Sequence, residues 1–257
     1  MKVAIVTGAS SGLGRELTRK LLANDYRVAV IGRSAVRLQS AIAGYENRAK
    51  IVEADLSQAT SVEGLVERCL AELQESSVDL LINCAGFAVT GKLQDIPEVI
   101  YEQCWRVNFT SAVSLVKQSL PHMIRENSGM IVNVSSGVAR RALPFISPYC
   151  SAKAALSSFT ESLRVELAFT QIKVMLFSPG PVTSGFHDST VHCGETVLAF
   201  PPFIGVEAEI VAQKLFRAIE QKRTRVVLGF RASLAYHLNY WLPSLTDLIV
   251  RLVYRIQ

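Results

Sequence analysis

Tyr149 and Lys153, four residues apart, are the pair in this sequence best suited to proton transfer. Side chains at positions i and i+4 of a helix share one face, so the phenol and the ammonium would lie together where a helix begins. An ammonium stabilises a neighbouring phenolate, and we therefore expect the pKa of Tyr149 to fall below about 10. Such a phenol is a general acid for a ketone or a general base for an alcohol.

Two further polar residues precede this pair in suitable contexts. Ser136 closes an apolar run thirteen residues before Tyr149, and its hydroxyl is suited to a hydrogen bond with a substrate oxygen; Ser135 is the alternative. Asn108 falls in a helical pattern, where the presence of a polar amide requires a structural or functional explanation. It either holds a water that relays protons to the ammonium or is a satisfied residue at a helix kink.

A glycine turn follows the first apolar run and opens a helical pattern over residues 7–14, with the spacing G-x-x-x-G-x-G. Glycines allow a tight turn and a close approach of the backbone to a pyrophosphate at a helix N-terminus. A dinucleotide is therefore expected here, with a plain glycine-rich turn as the alternative. The predicted contacts are Gly8, Ser10, Ser11, Gly12, Leu13 and Gly14.

The cofactor type is indicated by the residues after the second apolar run. An acidic residue there typically binds the ribose 2′-hydroxyl of NAD, but this sequence has Arg33 followed by Ser34. A planar cation suits a 2′-phosphate, with Ser34 and Arg15 as helpers, whereas the alternative is a solvated surface arginine. We therefore predict NADP(H), whose cationic nicotinamide ring would lower the pKa of Tyr149 further.

Two more strand ends carry candidate cofactor contacts. Asp55, followed by Leu56, either accepts a hydrogen bond from the adenine amino group or caps a helix beginning near residue 58. In residues 83–86, small side chains let the backbone pass close to the ribose, and Asn83 can bridge two strands. The predicted contacts there are Asn83, Ala85 and Gly86.

Short β-branched runs alternate with helical patterns along the chain, which is typical of a parallel sheet with helices on both faces. The predicted strands cover residues 2–6, 27–31, 49–53, 78–82, 129–134, 172–177 and 225–228. The predicted helices include residues 14–24, 61–73, 109–125 and 152–168. The fold class is α/β, a doubly wound parallel sheet of Rossmann type, with residues 1–230 as a single domain and 231–257 as its helical extension.

Composition excludes several classes of function. The net charge of +5 is spread along the chain without interleaved aromatic residues, so no nucleic-acid partner is expected. The five cysteines are odd in number and lack a C-x-x-C pair, which argues against disulfides and zinc and favours the cytoplasm. The histidines near residue 190 are too isolated for a metal site, and we predict none.

With these motifs in order, the chain resembles the classical short-chain dehydrogenase/reductase family over roughly residues 2–230. The resemblance implies that Tyr149, Ser136, Lys153 and Asn108 form the catalytic group, with Tyr149 and Lys153 also contacting the cofactor. It further implies that a motif at residues 179–184 holds the nicotinamide carboxamide. The residues carried over there are Pro179, Gly180, Val182 and Ser184.

What the family resemblance implies is hydride transfer between NADP(H) and a ketone, aldehyde or alcohol, in a homodimer or homotetramer. Substrate choice would lie in a lid at about residues 185–205, whose aromatic content favours an apolar or lipid-like substrate. A catalytically silent NADP-binding or scaffold protein is the alternative function. Such a protein would be expected to lack Tyr149 or Lys153.

The tail at residues 231–257 is rich in Leu, Tyr and Trp, and residues 232–246 contain no charged side chain. Pro243, Asp247, Arg251 and Arg255 interrupt the tail, so it falls short of the roughly 20 apolar residues needed to span a bilayer. An amphipathic helix pair at the membrane surface is one interpretation, with Tyr236, Tyr240 and Trp241 at headgroup level and Arg231, Arg251 and Arg255 near anionic lipid. Cover for the substrate cleft or for a partner subunit is the other.

Overall fold

The central sheet of the computed structural model has seven parallel strands among the described residues, which are 1–186, 189–195, 205–227, 239 and 241–254. In chain order the strands are β1 (Lys2–Thr7), β2 (Tyr26–Gly32), β3 (Ala49–Glu53), β4 (Leu80–Asn83), β5 (Val89–Thr90), β6 (Met130–Val134), β7 (Lys173–Ser178), β8 (Val182–Thr183), β9 (Val191–His192), β10 (Val206–Glu207) and β11 (Arg225–Val227). The sheet order is β11-β7-β6-β4-β1-β2-β3, and β5–β9 and β8–β10 form two separate parallel pairs. The predicted doubly wound parallel sheet is confirmed.

Helices connect the strands, and the first residues of those that the sequence pattern predicts lie two to five positions from the predicted ones. They are α1 (Gly12–Ala23), α2 (Ala35–Ile42), α3 (Ala59–Val62), α4 (Leu65–Leu73), α5 (Glu98–Trp105), α6 (Ser111–Arg125), α7 (Ser147–Glu166), α8 (Ala208–Glu220) and the C-terminal helix (Pro243–Tyr254). A single helix over residues 61–73 is wrong, because Gly64 adopts a left-handed conformation with φ +61° between α3 and α4. A π-helical segment, Arg106–Thr110, joins α5 to α6.

The core lies on both faces of the sheet because successive side chains of a strand point to opposite sides. In β1, Ala4 and Val6 pack in the cluster that includes α1 and α8, whereas Val3 and Ile5 pack in the cluster that includes α4 and α6. All four are essentially inaccessible to solvent. Burial on both faces explains why the strands read as continuous apolar runs rather than alternating ones.

The order of the strands reverses between β1 and β4, which are neighbours in the sheet although the chain leaves β1 toward β2. In an open α/β sheet, ligands bind beyond the carboxyl ends of the strands at such a switch point. The glycine turn follows β1, and Asn83 ends β4. The fold therefore brings two of the predicted cofactor motifs to one place.

The chain beyond β11 is described only in part. The C-terminal helix begins at Pro243, a residue well suited to a first helical turn because it lacks a donor there. No helix among the described residues is long and apolar enough to cross a bilayer. The predicted lipid contacts Arg231, Tyr236, Tyr240 and Arg255 lie outside the described residues.

Candidate active site

The glycine turn packs so tightly that side chains are excluded from it. Gly8 and Gly12 have φ values of +70° and +50°, a region that favours glycine. A Cβ on Gly8 would lie 2.8 Å from the Ala85 Cα, and one on Gly14 would lie 2.2 Å from the Gly8 carbonyl oxygen. The turn is thus built by close passage of two loop backbones, those after β1 and β4.

The N-terminus of α1 is suited to an anion. Ser11 is its N-cap residue, but the Ser11 side chain forms no capping hydrogen bond, and no acidic residue stands in the first turn. The first backbone N–H groups of a helix have no partner within the helix, and the helix dipole favours negative charge there. The predicted contacts Ser10, Ser11 and Leu13 lie at this end, which fits a pyrophosphate.

At the end of β2, Arg33 is exposed and forms no hydrogen bond or ion pair with any described residue. Ser34 is the N-cap residue of α2, where its hydroxyl accepts a hydrogen bond from the Arg37 amide at 3.4 Å. Arg15, the predicted helper, instead pairs with Glu16 at 3.1 Å. Among the described residues, Arg33 is therefore a cation at this strand end without a hydrogen-bond or ion-pair partner.

Asp55 does not cap a helix. Its Oδ1 accepts hydrogen bonds from the backbone amide and the hydroxyl of Ser57, at 2.9 and 2.8 Å, and so closes the turn before α3. The N-cap residue of α3 is Gln58, which uses no side chain for capping. The helix-cap alternative is wrong because the carboxylate is engaged by Ser57, before the N-cap position, and Leu56 beside it is buried in the core.

Asn83 bridges strands as its position suggested. Its side-chain amide donates to the Asn133 Oδ1 on β6 at 2.8 Å, and the Asn133 amide donates to Thr160 on α7 at 2.9 Å. Sequence reasoning missed Asn133 and Thr160, although a buried Asn within an apolar strand is itself a signal. This chain of hydrogen bonds fixes β4 and β6 against α7, the helix that carries the predicted catalytic pair.

Thr7 is a second residue that sequence reasoning did not single out. Its hydroxyl oxygen accepts hydrogen bonds from the Cys84 and Ala85 amides, both at 3.0 Å, and thereby ties the end of β1 to the loop after β4. Thr7 is almost completely buried. It stabilises the approach of the two loops that the glycines permit.

Asn108 lies in the π-helical segment and is only partly satisfied. Its amide donates to the Phe87 and Cys104 carbonyl oxygens, both at 2.9 Å, whereas its buried Oδ1 has no partner among the described residues. A Cβ on Gly86 would lie 2.5 Å from this oxygen and 3.4 Å from the Lys153 Nζ. The structure thus brings a free acceptor close to the ammonium, which a fully satisfied kink residue would not provide.

The two serines after β6 differ in their surroundings. Ser135 is buried, and its hydroxyl contacts the Lys153 carbonyl oxygen at 3.0 Å and the Ser157 hydroxyl at 2.7 Å. Ser136 is partly exposed, and its hydroxyl hydrogen-bonds to the phenol of Tyr149. Ser135 therefore serves the packing of α7, whereas Ser136 faces the predicted proton donor.

Lys153 is 3% exposed, and its ammonium donates to the Val134 carbonyl oxygen at 2.9 Å. Burial lowers the pKa of Lys153 from 10.5 to about 8, because it disfavours the charged form. The Nζ lies 5.8 Å from the centre of the Tyr149 ring. The i, i+4 pair is therefore formed on one face of α7, but the ammonium faces a backbone oxygen.

The pKa of Tyr149 is raised, not lowered, in the chain by itself. Burial of the phenol is the largest cause, and the hydrogen bond from Ser136 acts in the opposite direction. The expectation that Lys153 lowers the pKa is wrong here because desolvation outweighs an ammonium that is turned toward Val134. At neutral pH the phenol consequently holds its proton.

The motif at residues 179–184 lies against the glycine turn. The Pro179 carbonyl oxygen accepts from the Gly137 amide at 3.0 Å, and Val182 pairs with Val206 in the β8–β10 pair. A Cβ on Gly12 would come within 2.8 Å of the Ser184 Cβ. Gly180 lies between these contacts, so the motif and the turn border one site.

The predicted lid is described in part. Phe186 lies over Tyr149 with ring centres 5.6 Å apart and an interplanar angle of 56°. The following segment returns through β9, where the His192 Nδ1 lies 2.7 Å from the Thr90 hydroxyl. The remaining lid residues singled out in the sequence, His187, Phe200, Pro201, Pro202 and Phe203, fall outside the described residues. Within the described ranges no cluster of His, Cys, Asp or Glu is arranged to hold a metal ion.

An open parallel sheet with a glycine turn at its switch point and a hydroxyl–lysine group beside it defines a Rossmann-type architecture with titratable side chains at the edge of the sheet where ligands bind. A sequence profile described as short chain dehydrogenase matches residues 2–192. A relative in Helicobacter pylori strain J99, named a probable short-chain type dehydrogenase/reductase VdlC, is 31% identical over 261 residues, which cover 94% of this chain and 93% of the relative. This chain belongs to the short-chain dehydrogenase/reductase family.

Solved structures agree on the fold. A short chain dehydrogenase/reductase from Burkholderia phymatum in complex with NAD is similar with a TM-score of 0.82 at 24% identity, covering 95% of this chain and 94% of the other. A short-chain dehydrogenase from Sphingobium yanoikuyae in complex with NADPH is similar with a TM-score of 0.80 at 20% identity, covering 100% and 97%. One fold thus accommodates either dinucleotide, and the choice depends on individual residues.

Proposed function

We propose that this chain is an NADP(H)-dependent reductase that converts a ketone or aldehyde carbonyl of an apolar substrate into an alcohol. The observation that carries the proposal is the Ser136–Tyr149 hydroxyl pair beside the buried Lys153. A protonated phenol donates to a carbonyl oxygen, whereas only a phenolate accepts a proton from an alcohol, and the raised pKa of Tyr149 keeps the phenol protonated in the chain by itself.

Each member of the group has a part in moving the proton. The Tyr149 hydroxyl donates its proton to the carbonyl oxygen, while the Ser136 hydroxyl donates a hydrogen bond to the same oxygen and stabilises the charge that develops there. Lys153 resupplies the phenol by way of hydroxyl groups or water, and the free Oδ1 of Asn108 accepts a hydrogen bond in that path. A bound nicotinamide would supply the hydride.

The cofactor fits the residues at the switch point. The N-terminus of α1, which no side chain caps, and the glycine turn, whose glycines leave no room for a Cβ, suit the pyrophosphate. Arg33 with Ser34 suits a ribose phosphate. The other residues that would hold the cofactor are Asp55, Leu56, Asn83, Ala85, Gly86, Tyr149, Lys153, Pro179, Gly180, Val182 and Ser184. Ser11 occupies the N-cap position of α1 without forming a capping hydrogen bond, which supports this set.

An apolar substrate is supported by the side chains around Tyr149. Phe186 contacts the ring, and Tyr149 also packs against the cluster that contains Val89, Cys104 and Cys193. These apolar side chains would shield the apolar surface of a substrate from water and offer it no polar contacts. The proposed unit comprises residues 1–230, with residues 231–257 as an extension of the same domain; five free cysteines favour a reducing, cytoplasmic setting.

The activity is tested by NADPH oxidation against a panel of ketones, 3-oxoacyl thioesters, steroids and long-chain keto lipids. Turnover of one or more apolar carbonyl compounds is expected. Two results together would instead favour a catalytically silent scaffold. NADPH would bind tightly without turnover of any compound, and replacing Tyr149 would change neither NADPH binding nor turnover.

Arg33→Ala is expected to weaken NADPH binding by about 10–100-fold, since a charge-assisted contact with the 2′-phosphate is lost. NADH binding should change little, because NADH lacks that phosphate. Both affinities are measured by fluorescence titration. Arg223→Ala removes the same charge from an exposed site far from β2 and serves as the control. Equal NADPH and NADH affinities in the unmodified chain would contradict the assignment.

A homodimer or homotetramer in which α6 and α7 pair across a two-fold axis is also proposed. Trp105, Phe109 and Phe159 form a partly exposed edge-to-face cluster beside these helices, with ring centres 5.6 and 6.3 Å apart. Val165 on α7 is 71% exposed. Apolar residues in such positions are typical of an isologous interface.

Light scattering at micromolar concentration should therefore give at least twice the monomer mass. Val165→Glu should shift the mass toward the monomer, because it places a charge in the interface. Val36→Glu on α2, which alters an equally exposed valine away from α6 and α7, should not. A monomer in the unmodified chain would contradict this assembly.

A further inference from the structure

The C-terminal helix presents an apolar face to solvent. Leu245, Leu248, Ile249, Leu252 and Val253 are spaced by three and four residues, so they share one side of the helix. All five are exposed, and Leu252 is 70% exposed. Leu242 and Trp241, which precede the helix, are exposed too, the latter by 74%. A helix of a soluble protein usually turns such a stripe toward the core.

The opposite side of this helix is fixed to the rest of the protein. Tyr254 packs with Val138, Leu143 and Phe145 in a cluster on the loop between Ser136 and Tyr149. Asp247 forms an ion pair with Arg141 of the same loop at 2.8 Å, and Thr246 is buried. The polar contacts and the packed ring hold the apolar face outward. Rotation of the helix to bury that face would break these contacts.

The size of the apolar face argues against a second copy of the chain as its partner. The helix has twelve residues and is about 18 Å long and 10 Å wide, so one face covers about 200–400 Å². Stable dimers bury about 800 Å² on each partner. A bilayer needs no minimum area of this kind, because binding strength simply increases with the apolar surface buried.

Positive charge beside the apolar face favours a bilayer that contains anionic lipid. Arg251 lines a cleft of about 390 Å³ between the helix and the loop that contains residues 141–144, beside the ion pair of Arg141 with Asp247. Trp241, at the start of the apolar face, is of the type enriched at headgroup level. The net charge of +5 adds a general attraction to anionic surfaces.

We propose that the C-terminal helix docks this protein in the plane of a bilayer that contains anionic lipid. The apolar face enters the boundary between headgroups and acyl chains, and Arg251 at its edge meets lipid phosphate. Because the helix packs on the loop between Ser136 and Tyr149, docking places the surface of the bilayer next to the candidate active site. The docking itself does not depend on the reaction that the site carries out.

Co-sedimentation with sucrose-loaded vesicles tests the docking on the full chain. Vesicles of phosphatidylcholine with phosphatidylglycerol should bind it more strongly than phosphatidylcholine alone, and added salt should reduce the difference. Leu248→Glu with Leu252→Glu should lower the bound-to-free ratio at least about ten-fold, since two apolar side chains are lost from the bilayer. Leu93→Glu with Val99→Glu changes two equally exposed apolar residues elsewhere and should bind as the unmodified chain does.

Two further measurements separate lipid contact from other occupants. Arg251→Glu should reduce binding to the anionic vesicles and leave weak binding to the neutral ones unchanged. Brominated lipids should quench tryptophan emission in the unmodified chain and not in Trp241→Phe, where Trp105 remains. The proposal is overturned if the unmodified chain does not sediment, or if the Leu248/Leu252 variant sediments equally. It is also overturned if that variant instead lowers the mass in light scattering without any effect on vesicle binding.

Discussion

Tyr149→Phe is expected to lower kcat by about 10²–10⁴-fold, the usual contribution of a positioned general acid. The variant removes only the hydroxyl that hydrogen-bonds to Ser136 and keeps the ring that packs against Phe186. The affinity for NADPH should fall by less than about ten-fold, since at most one neutral hydrogen bond to the cofactor is lost. Steady-state kinetics with the best carbonyl substrate and a fluorescence titration of NADPH measure the two quantities.

Tyr101→Phe is the matched control. Tyr101 belongs to the same apolar cluster as Tyr149, and its hydroxyl lies 3.2 Å from the Ser151 hydroxyl rather than from Ser136. Its loss should cost little activity. If Tyr149→Phe retained more than about a tenth of the unmodified rate, proton donation by this phenol would be wrong, whatever the control showed.

The parts of the site that the sequence predicted well are those encoded over short distances. A strand, a glycine turn and a helix follow one another within residues 2–23, so both the fold of that unit and its suitability for a pyrophosphate can be predicted from local pattern. The same is true of Tyr149 and Lys153, which share a face because both lie in α7. Local spacing settles such relations before the tertiary fold is known.

The parts that could not be predicted depend on contacts between distant segments. Asn83 and Asn133 are fifty residues apart, and only the neighbouring positions of β4 and β6 in the sheet bring their amides together. Asp55 accepts hydrogen bonds from Ser57 rather than capping a helix, because the N-cap position of α3 is occupied by Gln58.

Electrostatics was the least predictable property of the site. The sequence shows that an ammonium stands four residues from a phenol, but not that the ammonium is buried and the phenol partly buried. Burial raises the pKa of the Tyr149 phenol and lowers the pKa of the Lys153 ammonium, so the neutral forms of both groups are favoured together. A charged group at this site consequently lowers the free energy of unfolding. Removing the Lys153 charge should therefore have a measurable effect on folding stability.

Lys153→Met is expected to stabilise the protein at neutral pH while abolishing turnover. A pKa of about 8 in place of 10.5 corresponds to about 3 kcal/mol of destabilisation by the buried ammonium. The variant also loses the hydrogen bond to the Val134 carbonyl oxygen, worth about 1 kcal/mol. The free energy of unfolding at pH 7 should thus increase by about 2 kcal/mol, as measured by urea titration.

The gain should depend on pH with a definite sign. The unfolded chain keeps the Lys153 proton up to about pH 10.5, whereas the folded chain releases it near pH 8, so the unmodified protein becomes more stable relative to the variant as the pH rises between these values. The advantage of Lys153→Met should accordingly be full below pH 8 and shrink toward pH 10. Lys117→Met, which alters an exposed lysine on α6, should show no such dependence. Two results would contradict this prediction: a Lys153→Met variant less stable than the unmodified chain at pH 7, or a stability advantage that grows with pH. Either result would show that the ammonium is well solvated or well paired in the folded protein.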